Sequence, residues 1–224
     1  MKRITVATLA IVFSSMLAAQ SSLPPPFPRT NATKLLETSK IVVWDIVWPK
    51  GQPTAMHRHP HDQVGTYYVR GGRLITQPDG TKREGMTEVG NLSTTRKGTT
   101  HIEEGATDPP LRAVFIELLQ DTGAASPVPD SSTLPRSGLK QVLDDDRVTV
   151  WDGVWKSGAD ALKYHASRDT VIVFLDSGKL RAAGKESPAV ADVKAGTMRY
   201  LAHDSAETLE MVEGAPRTMF FQLK

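Results

Sequence analysis

Short runs of apolar residues, separated by glycine, proline, aspartate or asparagine, recur along the whole chain. They are rich in β-branched and aromatic residues, as in VVWDIVW, LRAVFIEL, VTVWDGVW and RTMFFQL. Such runs are typical of β-strands, and the breaks between them are typical of turns. The best helical candidate is only the short segment TKLLETSK at 33–40. The pattern predicts an all-β protein whose sheets close on themselves and so protect their edges.

The chain also repeats itself, at a spacing of nearly half its length. The segment IVVWDIVWPKG at 41–51 returns as VTVWDGVWKSG at 148–158, and EGATDPPLRAVFIEL at 104–118 is echoed by EGAPRTMFFQL at 213–223. A repeat of this length is a whole small domain rather than a unit of a solenoid. We therefore expect two antiparallel β domains in tandem.

Proline-rich and polar segments set the expected boundaries of these domains. A leader containing SSLPPPFPRT is assigned to 20–40, and a linker containing DTGAASPVPDSSTLPRSG to 120–146. The first lobe then covers 41–119 and the second 147–224.

The extreme N-terminus has the features of a secretory signal. Lys2 and Arg3 precede an apolar run at 4–17, and Ala18 and Ala19 supply small residues near a cleavage point. The run is too short to span a bilayer comfortably. We expect a signal sequence at 1–19 and an exported protein, periplasmic or secreted; the alternative is a buried N-terminal strand or an uncleaved anchor.

Charge and cysteine content exclude several classes of function. Without Lys2 and Arg3, the remaining 25 basic residues balance 25 acidic residues, which argues against nucleic acid or, after signal cleavage, a membrane as the main partner. The chain has no cysteine, which excludes disulfides, zinc–thiolate sites, iron–sulfur clusters and cysteine nucleophiles.

The segment MHRHPHDQ at 56–63 holds three of the six histidines. If it enters a strand, alternate side chains share a face, so His57 and His59 point together and could bind one ion. Pairs of this kind also occur on surfaces without a metal. A third donor is supplied farther on by RKGTTHIEEG, which contains His101.

In this order, the motifs resemble the two signatures of the cupin family. The first signature falls on Gly51, His57, His59 and Gln63, and the second falls on Gly90, Gly98 and His101. The resemblance covers both halves and implies a bicupin, with two tandem cupin-type double-stranded β-helix (jelly-roll) barrels. It implies one divalent metal ion, held in the first barrel by His57, His59, Gln63 and His101. A donor set of nitrogen and oxygen suits Mn, Fe, Ni or Zn.

Gln63 stands where the cupin pattern usually has glutamate. Three imidazoles and an amide are all neutral, so the ion keeps its full double positive charge and attracts anionic oxygen ligands more strongly. The spacing from Gln63 to Gly71 is also one residue longer than usual, which predicts a bulge or a register shift in this strand.

Glu103 lies two residues beyond His101 and so on the same face of a regular strand. Pirin-type cupins place a histidine and a glutamate in this relation. Glu103 is therefore a candidate fifth ligand or catalytic general base; the alternative is that it faces water, the default for glutamate.

In the second half, the spacing that matches Gly72 with Gly178 places other residue types at the four ligand positions. They are Lys163, His165, Asp169 and Glu207. One imidazole of three remains, so this lobe is expected to have lost its metal; a site of one histidine and two carboxylates is the alternative.

These observations predict an exported bicupin that binds one divalent metal and a small-molecule ligand or substrate. As an enzyme it would act on a small organic anion, with dioxygenase, isomerase or lyase chemistry. The alternative is a non-catalytic binding module for a small molecule or carbohydrate, with structural histidines. A third alternative is a partner domain within an assembly, including a homo-oligomer.

Overall fold

The computed structural model describes residues 23–120, 138–156, 162–166, 168–183 and 189–224. The predicted signal sequence at 1–19 and most of the predicted linker lie outside these residues. The described residues form β-strands and turns but no helix. It follows that no described segment could cross a membrane as a helix. The expectation of an all-β protein is confirmed.

The first lobe consists of two antiparallel sheets. Its strands are β1 (Ala32–Glu37), β2 (Ile41–Trp48), β3 (His57–Arg58), β4 (Asp62–Val69), β5 (Gly71–Thr76), β6 (Lys82–Thr87), β7 (Leu92–Thr95), β8 (Thr100–Gly105) and β9 (Leu111–Leu118). One sheet has the order β1-β2-β9-β4-β7 and the other has the order β3-β8-β5-β6.

The second lobe repeats this arrangement. Its strands are β10 (Lys140–Asp144), β11 (Val148–Val154), β12 (Leu162–His165), β13 (Thr170–Phe174), β14 (Gly178–Ala183), β15 (Ala189–Val193), β16 (Met198–Leu201), β17 (Ala206–Glu213) and β18 (Arg217–Leu223). Its sheets have the orders β10-β11-β18-β13-β16 and β12-β17-β14-β15. Adding nine to each strand number of the first lobe reproduces both orders, so the sequence repeat is a repeat of the fold.

The one helical candidate, at 33–40, is wrong. Most of it belongs to β1, which pairs antiparallel with β2. An isolated helix of this length is unstable because nucleation is costly, whereas the edge of β2 offers a row of backbone partners. β1 falls in the segment assigned to the leader, and β10, which pairs with β11 in the same way, falls in the segment assigned to the linker.

Strand β2 shows how the two faces of the larger sheet are used. Its even-numbered residues Val42, Trp44, Ile46 and Trp48 belong to the core inside the first lobe, together with Tyr67 and Phe115 from β4 and β9. Its odd-numbered residues Ile41 and Val43 belong to a different core, which includes residues of both lobes. The period of two places the functional residues on the inner face.

The two lobes pack through the outer faces of their five-stranded sheets. Val64, Ile116, Val150, Val173 and Phe221 are among the side chains of this shared core, and each is at most 1% exposed. Packing one sheet on the other in this way buries both outer faces. The lobes therefore share one continuous hydrophobic core.

Two ion pairs flank this shared core and are related by the repeat. Arg147 of the second lobe donates to Asp62 of the first at 3.1 Å, and Lys40 of the first donates to Asp169 of the second at 2.5 Å. Lys40 directly precedes β2 as Arg147 directly precedes β11, and Asp62 and Asp169 stand at the starts of β4 and β13. The interface is thus approximately two-fold symmetric.

Candidate metal centre

Two neighbouring strands of the smaller sheet bring the three histidines together. His57 in β3 lies directly opposite His101 in β8. His59 follows β3, where its amide donates to the carbonyl of Thr99 and its carbonyl accepts from the amide of Gly98. Gly98 has a φ of 88°, which glycine adopts without strain. It makes the turn that leads the chain into β8.

The imidazoles form a compact buried cluster. Their ring centroids are separated by 4.8 Å for His57 and His101, 5.0 Å for His59 and His101, and 5.2 Å for His57 and His59. All three residues are under 9% exposed. One nitrogen of each ring lies within 4.8 Å of the others, and within the described part of the chain no other cluster of His, Cys, Asp or Glu is so placed.

The nitrogen atoms of the cluster fit a cation. Nδ1 of His57 is 3.0 Å from the carbonyl oxygen of Ala55; because a carbonyl only accepts, Nδ1 carries the proton and Nε2 carries the lone pair. That Nε2 is buried without a hydrogen-bond partner. Nε2 of His59 and Nε2 of His101 are 3.2 Å apart, and two lone pairs at this distance need a proton or a cation between them. Metal–nitrogen bonds are about 2.0–2.1 Å long, which such a cluster accommodates with small adjustments.

Burial keeps these imidazoles neutral. Desolvation lowers the pKa of His57, and it lowers the pKa of His59 to about 4, where the neighbouring imidazoles add to the effect. Desolvation also lowers the pKa of His101 to about 4, although the carboxylate of Glu103 opposes the shift. At neutral pH the rings are therefore in the form that binds metals.

Gln63 lies on β4, in the other sheet, with its side chain on the inner face together with that of Tyr67. It is 3% exposed, and its amide nitrogen donates to Oε1 of Glu117 at 3.4 Å. Burial raises the pKa of the Glu117 carboxyl, despite the hydrogen bonds that it accepts from Trp44 and Gln63. A carboxylate that accepts from the amide nitrogen leaves the amide oxygen of Gln63 as its metal-binding atom. The addition of Gln63 to the three histidines stays a prediction.

Glu103 does not face water, so that alternative is wrong. It is 5% exposed; its Oε1 accepts from Arg73 at 2.7 Å, and its Oε2 accepts from Arg29 at 3.0 Å and from the indole of Trp48 at 3.1 Å. Burial alone would raise the pKa of Glu103, but the two guanidinium groups outweigh it and hold that pKa well below its usual range. Oε1 of Glu103 is also 3.8 Å from Nε2 of His101. Glu103 is therefore ionised at neutral pH, and its role as a fifth ligand or general base stays a prediction.

Sequence reasoning missed the arginines and the N-terminal segment that complete this site. Phe27 stacks on Trp44 with ring centroids 4.6 Å apart, and this contact fixes the segment that carries Arg29. The guanidinium of Arg73 also lies 5.1 Å from the Trp48 ring centroid. Local sequence carries no signal for these contacts, because Arg29 is 74 residues from Glu103.

The predicted bulge is present, and it corrects the comparison of the two lobes. The register of β4 against β9 shifts between Tyr67 and Val69, so the first lobe holds one extra residue there. Before the bulge, equivalent residues of the two lobes are separated along the chain by the same distance as β2 and β11. After the bulge, where His101 lies, this separation is one residue shorter and equals that between Gly72 and Gly178. The sequence comparison had matched His57, His59 and Gln63 with Lys163, His165 and Asp169. These three matches are wrong by one residue, because all three positions lie before the bulge.

The backbone pairing gives the corrected equivalents. Tyr164 lies opposite Glu207, as His57 lies opposite His101. Ala166 takes the place of His59, since its amide donates to Ser205 and its carbonyl accepts from Asp204. Gln63 corresponds to Thr170 by the same rule. No imidazole remains at these positions of the second lobe.

The remaining candidate groups of the second lobe are engaged elsewhere. Asp169 accepts from Lys40 and from the hydroxyl of Tyr200, and Glu207 accepts from Arg199 at 3.0 Å. The side chains of Lys163 and His165 lie outside the described part of the chain. The interior of this lobe is an apolar core that includes Trp155, Phe174, Leu209, Met211 and Phe220.

Comparison with known proteins shows similarity of fold. No protein-family model matches the chain, and no curated protein matches it. Among solved structures, AerE from Microcystis aeruginosa has a TM-score of 0.64 and 11% identity, covering 91% of this chain and 99% of its own. A cupin 2 conserved barrel domain protein from Leptotrichia buccalis has a TM-score of 0.56 and 13% identity, covering 86% and 88%.

A structure of oxalate decarboxylase from Bacillus subtilis, described in work on its Mn(II) centres, is also similar in fold. The TM-score is 0.55 and the identity 10%, with coverage of 88% of this chain and 76% of that one. At these identities the likeness concerns the fold. Both lobes have the paired antiparallel sheets of a jelly-roll barrel, and one of these neighbours is described as a cupin 2 conserved barrel domain protein. The chain thus shares the fold of these structures, which is the fold that its two sequence signatures predicted.

Proposed function

We propose that the first lobe binds one divalent metal ion through His57, His59 and His101, with the amide oxygen of Gln63 as a fourth ligand. The observation that carries this proposal is the unpartnered Nε2 of His57 beside the facing Nε2 atoms of His59 and His101. A buried nitrogen without a partner is costly, and one cation would satisfy all three nitrogens together. The donor types suit Mn, Fe, Ni or Zn, and the B. subtilis oxalate decarboxylase of similar fold has Mn(II) centres.

The proposed activity is that of a metal-dependent enzyme on a small molecule. When bound, the ion supplies a Lewis acid or an activator of oxygen, as dioxygenase, isomerase or lyase chemistry requires. The protein's own residues position and shield the reactants. Trp48, Tyr67 and Phe115 exclude water from the inner face, and Arg73 donates to Glu103 and to the hydroxyl of Tyr67.

Elemental analysis of the purified chain at known concentration tests metal binding. We expect about one transition-metal ion per chain, and its loss from the double variant His57→Ala, His101→Ala. His203→Ala is the matched control, because His203 is exposed and lies outside the cluster. Equal metal content in the double variant and the control would reject the proposal and favour the non-catalytic binding module.

We further propose that the chain is exported, on the basis of Lys2, Arg3 and the apolar run at 4–17. N-terminal sequencing of protein recovered from the periplasm or the medium tests this directly. A mature chain that begins near residue 20 is the expected result. Recovery of the full-length chain from the cytosol would contradict it.

A further inference from the structure

A cleft beside the histidine cluster has features of a ligand site. Its volume is about 360 Å³, which falls in the size range of small-molecule sites. One wall is the N-terminal segment 24–31 and the other is the loop from Trp48 to Ala55; His57 also lines it. His57 of the proposed metal centre therefore borders the cleft.

Arg29 lines the cleft and belongs to a buried group of three side chains that carries an excess of positive charge. Arg29 and Arg73 share the single carboxylate of Glu103, and these side chains are 14%, 16% and 7% exposed respectively. Two guanidinium groups and one carboxylate leave one positive charge. Nη2 of Arg29 is also buried without a hydrogen-bond partner. Buried charge and unpaired donors are unfavourable unless a counter-ion or acceptor satisfies them.

The sides of the cleft have a different chemistry. Prolines line both walls, including Pro24, Pro26 and Pro28 on one side and Pro49 and Pro53 on the other. Their rings present rigid apolar surface that loses little entropy when a ligand binds. This surface suits a compact apolar body.

We propose that the cleft binds a small carboxylate with a compact apolar body. Its carboxylate lies at the end formed by Arg29 and His57, and its apolar part lies between the prolines. The proposal rests on the proposed metal function in one respect: a bound ion would add positive charge at the end of the cleft where the carboxylate lies. Arg29 acts as the anchor of the ligand.

The N-terminal segment is held firmly enough for this task. The carbonyl of Pro24 accepts from the amide of Arg58, and the carbonyl of Asn31 accepts from the amide of Val47. Between them, Phe27 is 7% exposed and stacks on Trp44. An arginine fixed in place before the ligand arrives costs less to engage than a free one.

Calorimetric titration of the intact chain with benzoate and with its neutral isostere benzamide tests the proposal. The two probes have the same shape and differ in charge. We expect benzoate to bind at least about tenfold more tightly, because a charged acceptor makes the stronger hydrogen bond to a guanidinium. Equal affinity for the two probes, or binding of neither, overturns the proposal.

Arg29→Gln removes the anchoring charge, and we expect it to weaken benzoate binding by roughly tenfold or more while leaving benzamide unaffected. Arg70→Gln is the matched control, since Arg70 is an exposed arginine that pairs with Glu88. Unchanged benzoate affinity in Arg29→Gln overturns the proposal. If that variant does not fold, the comparison of benzoate with benzamide in the unaltered chain remains decisive.

Running both titrations on metal-free and metal-loaded protein separates the two proposals. Binding of benzoate that depends on Arg29, in a chain that takes up no metal, would reject the metal centre and keep the carboxylate site. Metal uptake without any preference for benzoate would do the reverse.

Discussion

Glu103 shows how far the environment of one side chain can depart from the default for its residue type. Glutamate is usually exposed, yet this one is buried between Arg29 and Arg73 and accepts from the indole of Trp48. Its single negative charge offsets one of the two guanidinium charges beside the histidine cluster. Removing its charge would leave the two guanidiniums without the carboxylate that they share.

Glu103→Gln is therefore expected to lower the free energy of unfolding by about 3–5 kcal/mol, the usual cost of breaking a buried ion pair from one side. Urea denaturation of the metal-free chain measures it. Glu104→Gln, at a partly exposed neighbour in the same strand, should change stability by less than about 0.5 kcal/mol. A loss below about 1 kcal/mol in Glu103→Gln would show that the arginines do not depend on it.

Gln63 and Glu117 form a second buried pair, with the amide nitrogen 3.4 Å from a carboxylate oxygen. Gln63→Glu would set two carboxylates against each other, so we expect it to destabilise the metal-free chain. Adding Glu117→Gln restores one donor and one acceptor and should recover most of the loss.

Melting temperatures of the two single variants and the double variant complete the cycle for this pair. Additive effects of the two substitutions would mean that the side chains do not interact. In that case the orientation of the Gln63 amide would need another cause.

Among the elements, the N-terminal segment departs furthest from its composition. Its prolines predict an irregular leader, and the structure has it closing one side of the first lobe. Phe27 is the contact that holds it, because its ring is buried against Trp44. The remaining attachments are single hydrogen bonds and the ion pair of Arg29.

Phe27→Ala is expected to release this segment while the lobes stay folded. The amides of Val47 and Arg58, which donate to the segment, should then exchange with deuterium roughly tenfold faster or more. Leu23→Ala is the control, since Leu23 is 43% exposed. Unchanged exchange at both amides would mean that Phe27 does not hold the segment.

The two lobes together form one molecule through a shared core and a pair of reciprocal salt bridges. Asp169 is the more buried carboxylate of the two pairs, at 6% exposed. Burial raises its pKa, but Lys40, the amide of His203 and Tyr200 outweigh this and lower the pKa below the ordinary value of 3.8. Because the folded form binds its proton less readily, the stabilisation is present above pH 3.8 and is lost as the pH falls below it.

Asp169→Asn should accordingly be less stable than the unaltered chain at pH 7, and the difference should shrink as the pH is lowered through 3.8. Urea denaturation at a series of pH values gives both quantities. Asp204→Asn, at an exposed aspartate, should show no such trend. A difference that does not change with pH would exclude Asp169 as the titrating group.

Order and composition along the chain were sufficient to predict the all-β class, most of the strands, the repeat, the bulge in β4 and the three histidines that the fold brings together. These features depend on residues close together in sequence, or on a motif of fixed spacing. The bulge is a clear case: one extra residue between Gln63 and Gly71 predicted it, and the pairing of β4 with β9 contains it.

Tertiary structure alone decided which charges meet. Glu103 accepts hydrogen bonds from Arg73 and Arg29, which are 30 and 74 residues away in the sequence. Asp169 accepts one from Lys40, which is 129 residues away. Strand pairing and sheet packing create these contacts, and no local pattern encodes them. Tertiary structure also decided which residues of the two lobes are equivalent. The separation between equivalent residues changes by one at the bulge, and only the folded sheet shows where the bulge lies.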